Sequence, residues 1–217
     1  MKWIYTGRQI GQAVKNVQRL RQILGVLAKY GFVDVVERMD LGKFLPGGLG
    51  VFAREQGEFS TAERLRKSIE ELGPTFVKLG QLLSTRSDLL PEDFIIEFTK
   101  LQDNVQPLPF SVVKGAIEGE LHDSIENLYQ EFSSEPLAAA SIGQVHSAIL
   151  KSGEKVVVKI QRPEIESVIE NDISLLAFLA GLLEKYVPES RIASPRIVVD
   201  EFFRTLSLEL NYVVVAN

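Results

Sequence analysis

Apolar residues recur at steps of three and four through the first 125 residues, and then the step shortens to two. That change of period divides the chain into a helical part and a part containing strands. Ile10, Ala13, Val17, Leu20, Leu24 and Leu27 trace one face of an amphipathic helix, with Lys15, Arg19 and Arg21 off the stripe. Such a helix either packs on its own protein or lies in a membrane interface, and the sequence leaves both readings open. Residues 40–58, with Pro46-Gly47-Gly48 and Gly50, read as a loop or linker. Ser60-Thr61-Ala62-Glu63 fits a capping box, and the helix it opens runs to Gly73, a residue suited to a helix end. Pro74 starts the next helix, which carries Phe76 to Thr85. Pro91-Glu92-Asp93 opens another, with its acids where the helix dipole favours them, and Ser111 to Leu121 forms a fourth.

Beyond residue 125 four short segments alternate or are β-branched: Leu128–Phe132, Leu137–Ser141, Gln144–Leu150 and Lys155–Gln161. Lys151-Ser152-Gly153-Glu154 supplies a hairpin turn between the last two. Pro163-Glu164 then starts a long helix through Tyr186. Pro195 starts another that meets no stop signal before Asn217, which leads us to expect an incomplete chain.

Composition narrows the chemistry. The chain has no cysteine, so disulfides, thiol nucleophiles and thiolate zinc sites are excluded together, which fits a reducing compartment. His122 and His146 are the only histidines, so a His-rich metal site is excluded and a Ser-His-Asp triad would need one of them. Residues 1–38 carry seven cations against Asp34 and Glu37, leaving +5 there and −10 on the rest of a chain whose net charge is −5. A basic start on an acidic body argues against a general nucleic-acid binder and allows contact with an anionic membrane surface. No stretch approaches the roughly 20 apolar residues of a membrane span. The expectation is a cytoplasmic protein that can sit peripherally at the inner membrane surface.

The strand pairs enclose the most informative unit. Ala138, Ala139, Ala140 and Ser141 lie in a loop before Gly143, Gln144 and a strand, and the following strand ends in Val156-Val157-Val158-Lys159. A loop of very small side chains lets its backbone approach a polyphosphate, and a lysine on the next strand adds a point charge. Alanine does not take positive φ cheaply, so this loop is expected to be stiffer than a glycine loop, with Gly143 as its one permissive position. On these residues alone, close packing is the more ordinary explanation of the alanines and a snorkelling surface position that of the lysine.

Three motifs in order resemble the UbiB family, also called the aarF-domain-containing kinase-like family. The first is Leu72-Gly-Pro-Thr-Phe-Val-Lys78-Leu79-Gly80-Gln81, continuing to Pro91 and then Leu101-Gln102-Asp103. The second is Ala138-Ala139-Ala140-Ser141-Ile142-Gly143-Gln144-Val145-His146, and the third Val157-Val158-Lys159-Ile160-Gln161-Arg162-Pro163. The resemblance implies an α+β fold: a helical N-terminal extension followed by an incomplete protein-kinase-like N-lobe. The segments would be 1–58 (amphipathic helix and linker), 59–127 (the Lys-x-Gly-Gln extension) and 128–217 (the truncated N-lobe).

The resemblance also implies roles. Lys78 and Gln81, at i and i+3 on one helix face, would point into a nucleotide pocket. Ala138, Ala139, Ala140, Ser141, Gly143 and Gln144 would line the nucleotide, and Lys159 would hold its α- and β-phosphates. ATP and Mg2+ are the implied cofactors, with the metal ligands, the catalytic-loop Asp and Asn and the Asp-Phe-Gly expected beyond residue 217. The family's Glu-Leu-Asp-Tyr, followed by Glu-Ala, stands here as Glu209-Leu210-Asn211-Tyr212 and Val215-Ala216. Glu209 is kept and is the candidate to replace the missing glutamate beside Lys159. Asn211 and Val215 each remove a negative charge, which puts phosphoryl transfer in doubt. The implied function is an ATPase or kinase supporting ubiquinone or a related isoprenoid quinone. Its implied partners are ATP, a quinone-precursor lipid, quinone-synthesis enzymes and a membrane surface. Two other readings are a nucleotide-binding pseudokinase scaffold and an inactive remnant.

Overall fold

The computed structural model describes residues 2–45, 47, 59–101 and 106–210, with side chains from residue 16 onward. The chain forms two compact units, residues 1–101 with 169–217, and residues 102–168.

The first unit is helical among the described residues. It contains α1 (Lys2–Lys29), α2 (Val33–Arg38), α3 (Thr61–Leu72), α4 (Pro74–Ser84), α5 (Glu92–Phe98), most of α8 (Ile165–Tyr186) and α9 (Pro195–Leu210). The capping box reads out as expected at its first half: the Ser60 hydroxyl accepts from the Glu63 amide at 3.1 Å. Gly73 closes α3 with φ +94° and also precedes Pro74, which starts α4. On α1, Leu20 and Leu24 of the expected stripe and the neighbouring Ile23 are buried, Leu27 is half-buried and Val17 is exposed. Val36, Ile69, Leu72, Phe76, Phe98, Phe202 and Leu206 are further buried side chains of this unit. Each such side chain removed from water contributes about 1.5–3 kcal/mol.

Elements depart from expectation at the linker and at the start of α8. Gly42–Phe44, inside the expected linker, forms one 3-10 turn, and most of the remaining linker lies outside the described residues. The helix expected at Pro163-Glu164 begins at Ile165, because Glu164 takes φ +61° and cannot belong to a right-handed helix. The final segment Asn211–Asn217, with Asn211 and Val215, lies outside the described residues.

The second unit contains α6 (Phe110–Leu121), the single turn α7 (Ile125–Leu128) and four strands. These are β1 (Tyr129–Phe132), β2 (Ala138–Ala139), β3 (Gly143–Leu150) and β4 (Lys155–Gln161). All pairings are antiparallel, and β3 is central, pairing with β1, β2 and β4. The expected strand Leu137–Ser141 shortens to Ala138–Ala139 because the chain turns at once. The Ala140 amide donates to the Gly143 carbonyl at 2.8 Å, closing a two-residue hairpin around Ser141 and Ile142. Val113, Ile117, Ile125, Tyr129, Ala148 and Ile160 form the core between one sheet face and the helices.

Candidate functional site

The register of the sheet decides which side chains share a face. Ala138 pairs with Val145, and Val145 pairs with Lys159. Directly opposed residues in antiparallel strands point to the same side, so Ala138, Val145 and Lys159 form one row. Lys159 is exposed, and its strand alternates, with Ile160 buried on the other side. The next row is Ala139, Gln144 and Ile160, and it faces the core.

The hairpin beside this row uses no positive φ. Among the described residues the left-handed positions are Asp40, His122, Glu164, Ser194 and four glycines, and Gly143 is not one of them. The conformational freedom expected of Gly143 is therefore unused, and alanines fit the turn without strain. Ser141 is completely buried, and its hydroxyl oxygen finds no hydrogen-bond partner among the described residues. A buried hydroxyl without a partner is costly, so the turn retains capacity for one more hydrogen bond.

Gln144 faces away from the Lys159 row and is committed on both sides of its amide. Its Oε1 accepts from the Leu108 amide at 2.7 Å, and its Nε2 lies 2.8 Å from His146 Nε2. His146 Nδ1 lies 2.8 Å from the Ser133 carbonyl, which can only accept. The ring therefore donates from Nδ1 and accepts from Gln144 at Nε2. The side chain of Gln144 thus anchors the hairpin from behind instead of reaching a ligand on the Lys159 side. Arg162 anchors it from the end: Nε donates to the Ala140 carbonyl at 3.2 Å and Nη2 to the Gln106 carbonyl at 2.8 Å. Partial burial holds this guanidinium below its ordinary pKa. Sequence reasoning quoted His146 and Arg162 inside motifs but gave neither a role. Both contact backbone atoms distant in sequence, and no local pattern announces that.

Lys78, Gln81 and Glu209 belong to the first unit. Lys78 Nζ lies 3.2 Å from a Glu209 carboxylate oxygen, so α4 and α9 meet through an ion pair. Glu209, expected to stand beside Lys159, is engaged with Lys78. Gln81 Nε2 donates to the Leu101 carbonyl at 3.3 Å, one turn along the same helix face. Gly80 sits between them in sequence and against Leu101: a Cβ there would overlap Leu101 Cδ1. The Lys-x-Gly-Gln spacing is thus read locally as cation, close approach and anchor.

An exposed ammonium group beside a small-residue hairpin suits an anionic ligand such as a phosphate. For a divalent cation the fit is lacking: no group of three or more His, Cys, Asp or Glu side chains among the described residues could hold a metal. Among those residues, too, no helix is long and apolar enough to cross a membrane.

The ABC1 atypical kinase-like domain matches residues 100–217. A Marinobacter nauticus protein named "Probable protein kinase UbiB" is 48% identical over 203 residues, covering 90% of this chain and 36% of that protein. The Pseudomonas aeruginosa protein of the same name is 41% identical, covering 90% of this chain and 38% of its own length. The chain thus spans little more than a third of the curated relatives it matches. Among solved structures, the complex of Rv3197 with erythromycin from Mycobacterium tuberculosis is 32% identical, covering 70% of this chain and 39% of that chain, with a TM-score of 0.44. Helices with a small antiparallel sheet make an α+β fold consistent with a kinase-like N-lobe. The domain match over more than half of the sequence, with UbiB relatives aligned along nine-tenths of it, shows that the chain belongs to the ABC1 atypical kinase-like family, among the UbiB proteins.

Proposed function

We propose that this chain binds ATP through the Ala138–Val145–Lys159 face of its sheet, as the nucleotide-holding part of an atypical kinase or ATPase supporting ubiquinone or a related isoprenoid quinone. One observation carries the reading: Ala138, next to the small-residue hairpin, and the exposed Lys159 share one face of the sheet. In this reading Lys159 meets the phosphates as a point charge. The close backbone approach is permitted by Ala138, Ala139 and Ala140. The family resemblance also assigns Lys78 and Gln81 of α4 a role toward the nucleotide. Bound ATP would supply the transferable phosphoryl group, and Mg2+ would be held by residues other than those described. The names of the UbiB relatives support the kinase-like part of the reading. The quinone role, with its lipid-like partner, quinone-synthesis enzymes and peripheral membrane site, is part of the proposal and rests on the family resemblance.

Asn211 and Val215, which replace two acids of the family pattern, favour a second reading, a nucleotide-binding scaffold without turnover. Thermal unfolding with and without ATP tests the shared claim. A nucleotide that binds only the folded state stabilises it by about 2.7 kcal/mol at a hundredfold excess over Kd. That gain is expected for the 217-residue chain and is expected to be lost in Lys159→Ala. No melting shift in the parent chain overturns both readings. Phosphate release by the parent chain, abolished by the same substitution, would exclude the scaffold.

A further inference from the structure

Among the described side chains of α1, Arg19 makes hydrogen bonds to α8 and to the end of α3. Its Nε and Nη2 grip the two carboxylate oxygens of Asp172 on α8 at 2.7 and 2.8 Å. Asp172 is 1% exposed, so the pair is withdrawn from water on the carboxylate side. Nη2 also donates to the Leu72 carbonyl at 2.8 Å, the last residue of α3. The guanidinium carbon lies 5.5 Å from the centre of the Phe76 ring, in the first turn of α4. One planar cation therefore touches both sides of the bend at Gly73 while α8 holds it in place.

Phe76 and Lys78 are two residues apart on α4, which places them about 200° apart around the helix. The helix is thus held on one side by Arg19 and on the opposite side by the Lys78–Glu209 pair. A rotation of α4 that loosened the first contact would swing Lys78 away from Glu209. The bidentate grip matters here, because lysine can replace the charge of arginine but not its fork.

We propose that Arg19, locked by Asp172, is a positioning residue that sets the rotation of α4 and so the place of the Lys78 ammonium. The role of Lys78 toward a nucleotide rests on the function proposed above, but the placement of its ammonium does not. The test follows the NMR signal of Lys78 in the 217-residue chain after reductive 13C-dimethylation of its lysines, assigned with Lys78→Arg. Glu209→Gln gives the signal position of Lys78 without its partner. Arg19→Lys is expected to move the Lys78 signal at least half of the way to that position, while the Lys114 signal of the other unit stays fixed. Asp172→Asn, which keeps the shape but weakens the grip, is expected to move it in the same direction. A Lys78 signal unmoved in either folded variant overturns the proposal. So does loss of the fold in both, because the pair would then be merely structural. Adding ATP without metal to the parent chain is a separate arm: no movement of the Lys78 signal counts against the proposed function and leaves the Arg19 result intact.

Discussion

Lys78 and Glu209, separated by most of the sequence, meet at 3.2 Å with side chains that keep 24% and 41% of their exposure. Water screens such a pair, and exposed ion pairs contribute about 0.2–1 kcal/mol. Glu209→Gln is therefore expected to change unfolding stability by less than about 1 kcal/mol, with the difference shrinking as salt is raised. Denaturant titration at low and high ionic strength checks this. A loss above about 2 kcal/mol that ignores salt would show that the pair holds the fold and is not placed for a ligand.

Arg19 and Asp172 stand at the other extreme. Removing one partner of a largely buried pair leaves a charge without compensation, at a cost of about 3–5 kcal/mol. Asp172→Ala is expected near the lower figure, because Arg19 keeps 18% exposure and its bond to the Leu72 carbonyl. The double variant Arg19→Met/Asp172→Leu is expected to recover most of the loss, since no charge is then buried. Thermal unfolding of the parent, Arg19→Met, Asp172→Leu and the double variant tests it; additive losses would contradict the argument.

These two pairs mark where sequence reading stops. Ser60 with Glu63, and Gly73 with Pro74, are legible because caps depend on neighbours within four residues. Lys155–Gln161 is legible as a strand because alternation follows from a half-buried sheet. The Arg19–Asp172 grip spans 153 residues of sequence, and nothing local marks either side chain. Gln144 illustrates a subtler limit. The motif identifies the segment, but only register shows that its side chain faces His146 and not Lys159. The hairpin at Ala140–Gly143 likewise needed no glycine freedom once its closing bond was formed.

Glu97 predicts how the first unit responds to acid. Hydrogen bonds from Lys100 and from Arg66 hold its carboxyl below the ordinary value of 4.5. As pH falls the unfolded chain takes up this proton first, so the stabilisation is full above about pH 4.5 and is lost as pH falls through the folded value. Glu71, lowered chiefly by Lys29, acts in the same direction. Glu97→Gln is expected to flatten the decline in melting temperature between about pH 5 and about pH 3 without abolishing it. An unchanged slope would mean that Glu97 has the same proton affinity folded and unfolded.

Gly80 is required by space. Alanine there gains about 1 kcal/mol of helix propensity, but its methyl would overlap Leu101 Cδ1, and such overpacking costs about 1–3 kcal/mol. Gly80→Ala is expected to destabilise the parent chain modestly. In a Leu101→Ala background the overlap disappears, and the same substitution is expected to stabilise. Two melting curves in each background decide this, and the same sign in both would refute the steric account.

Gly73 is required by conformation instead. No atom lies within 4 Å of where its Cβ would sit, yet its φ of +94° with ψ of −163° belongs to a region open essentially to glycine alone. Gly73→Ala is expected to cost about 1–3 kcal/mol. Trimming neighbours cannot restore it, because the strain lies in the backbone of the residue itself. D-alanine, introduced by semisynthesis, favours positive φ and is expected to restore stability at this position. Since Arg19 touches Leu72 before the bend and Phe76 after it, the L-alanine variant is also expected to disturb the Lys78 signal. A stable L-alanine chain with an unaltered Lys78 signal would show that the bend at Gly73 does not govern the placement of α4.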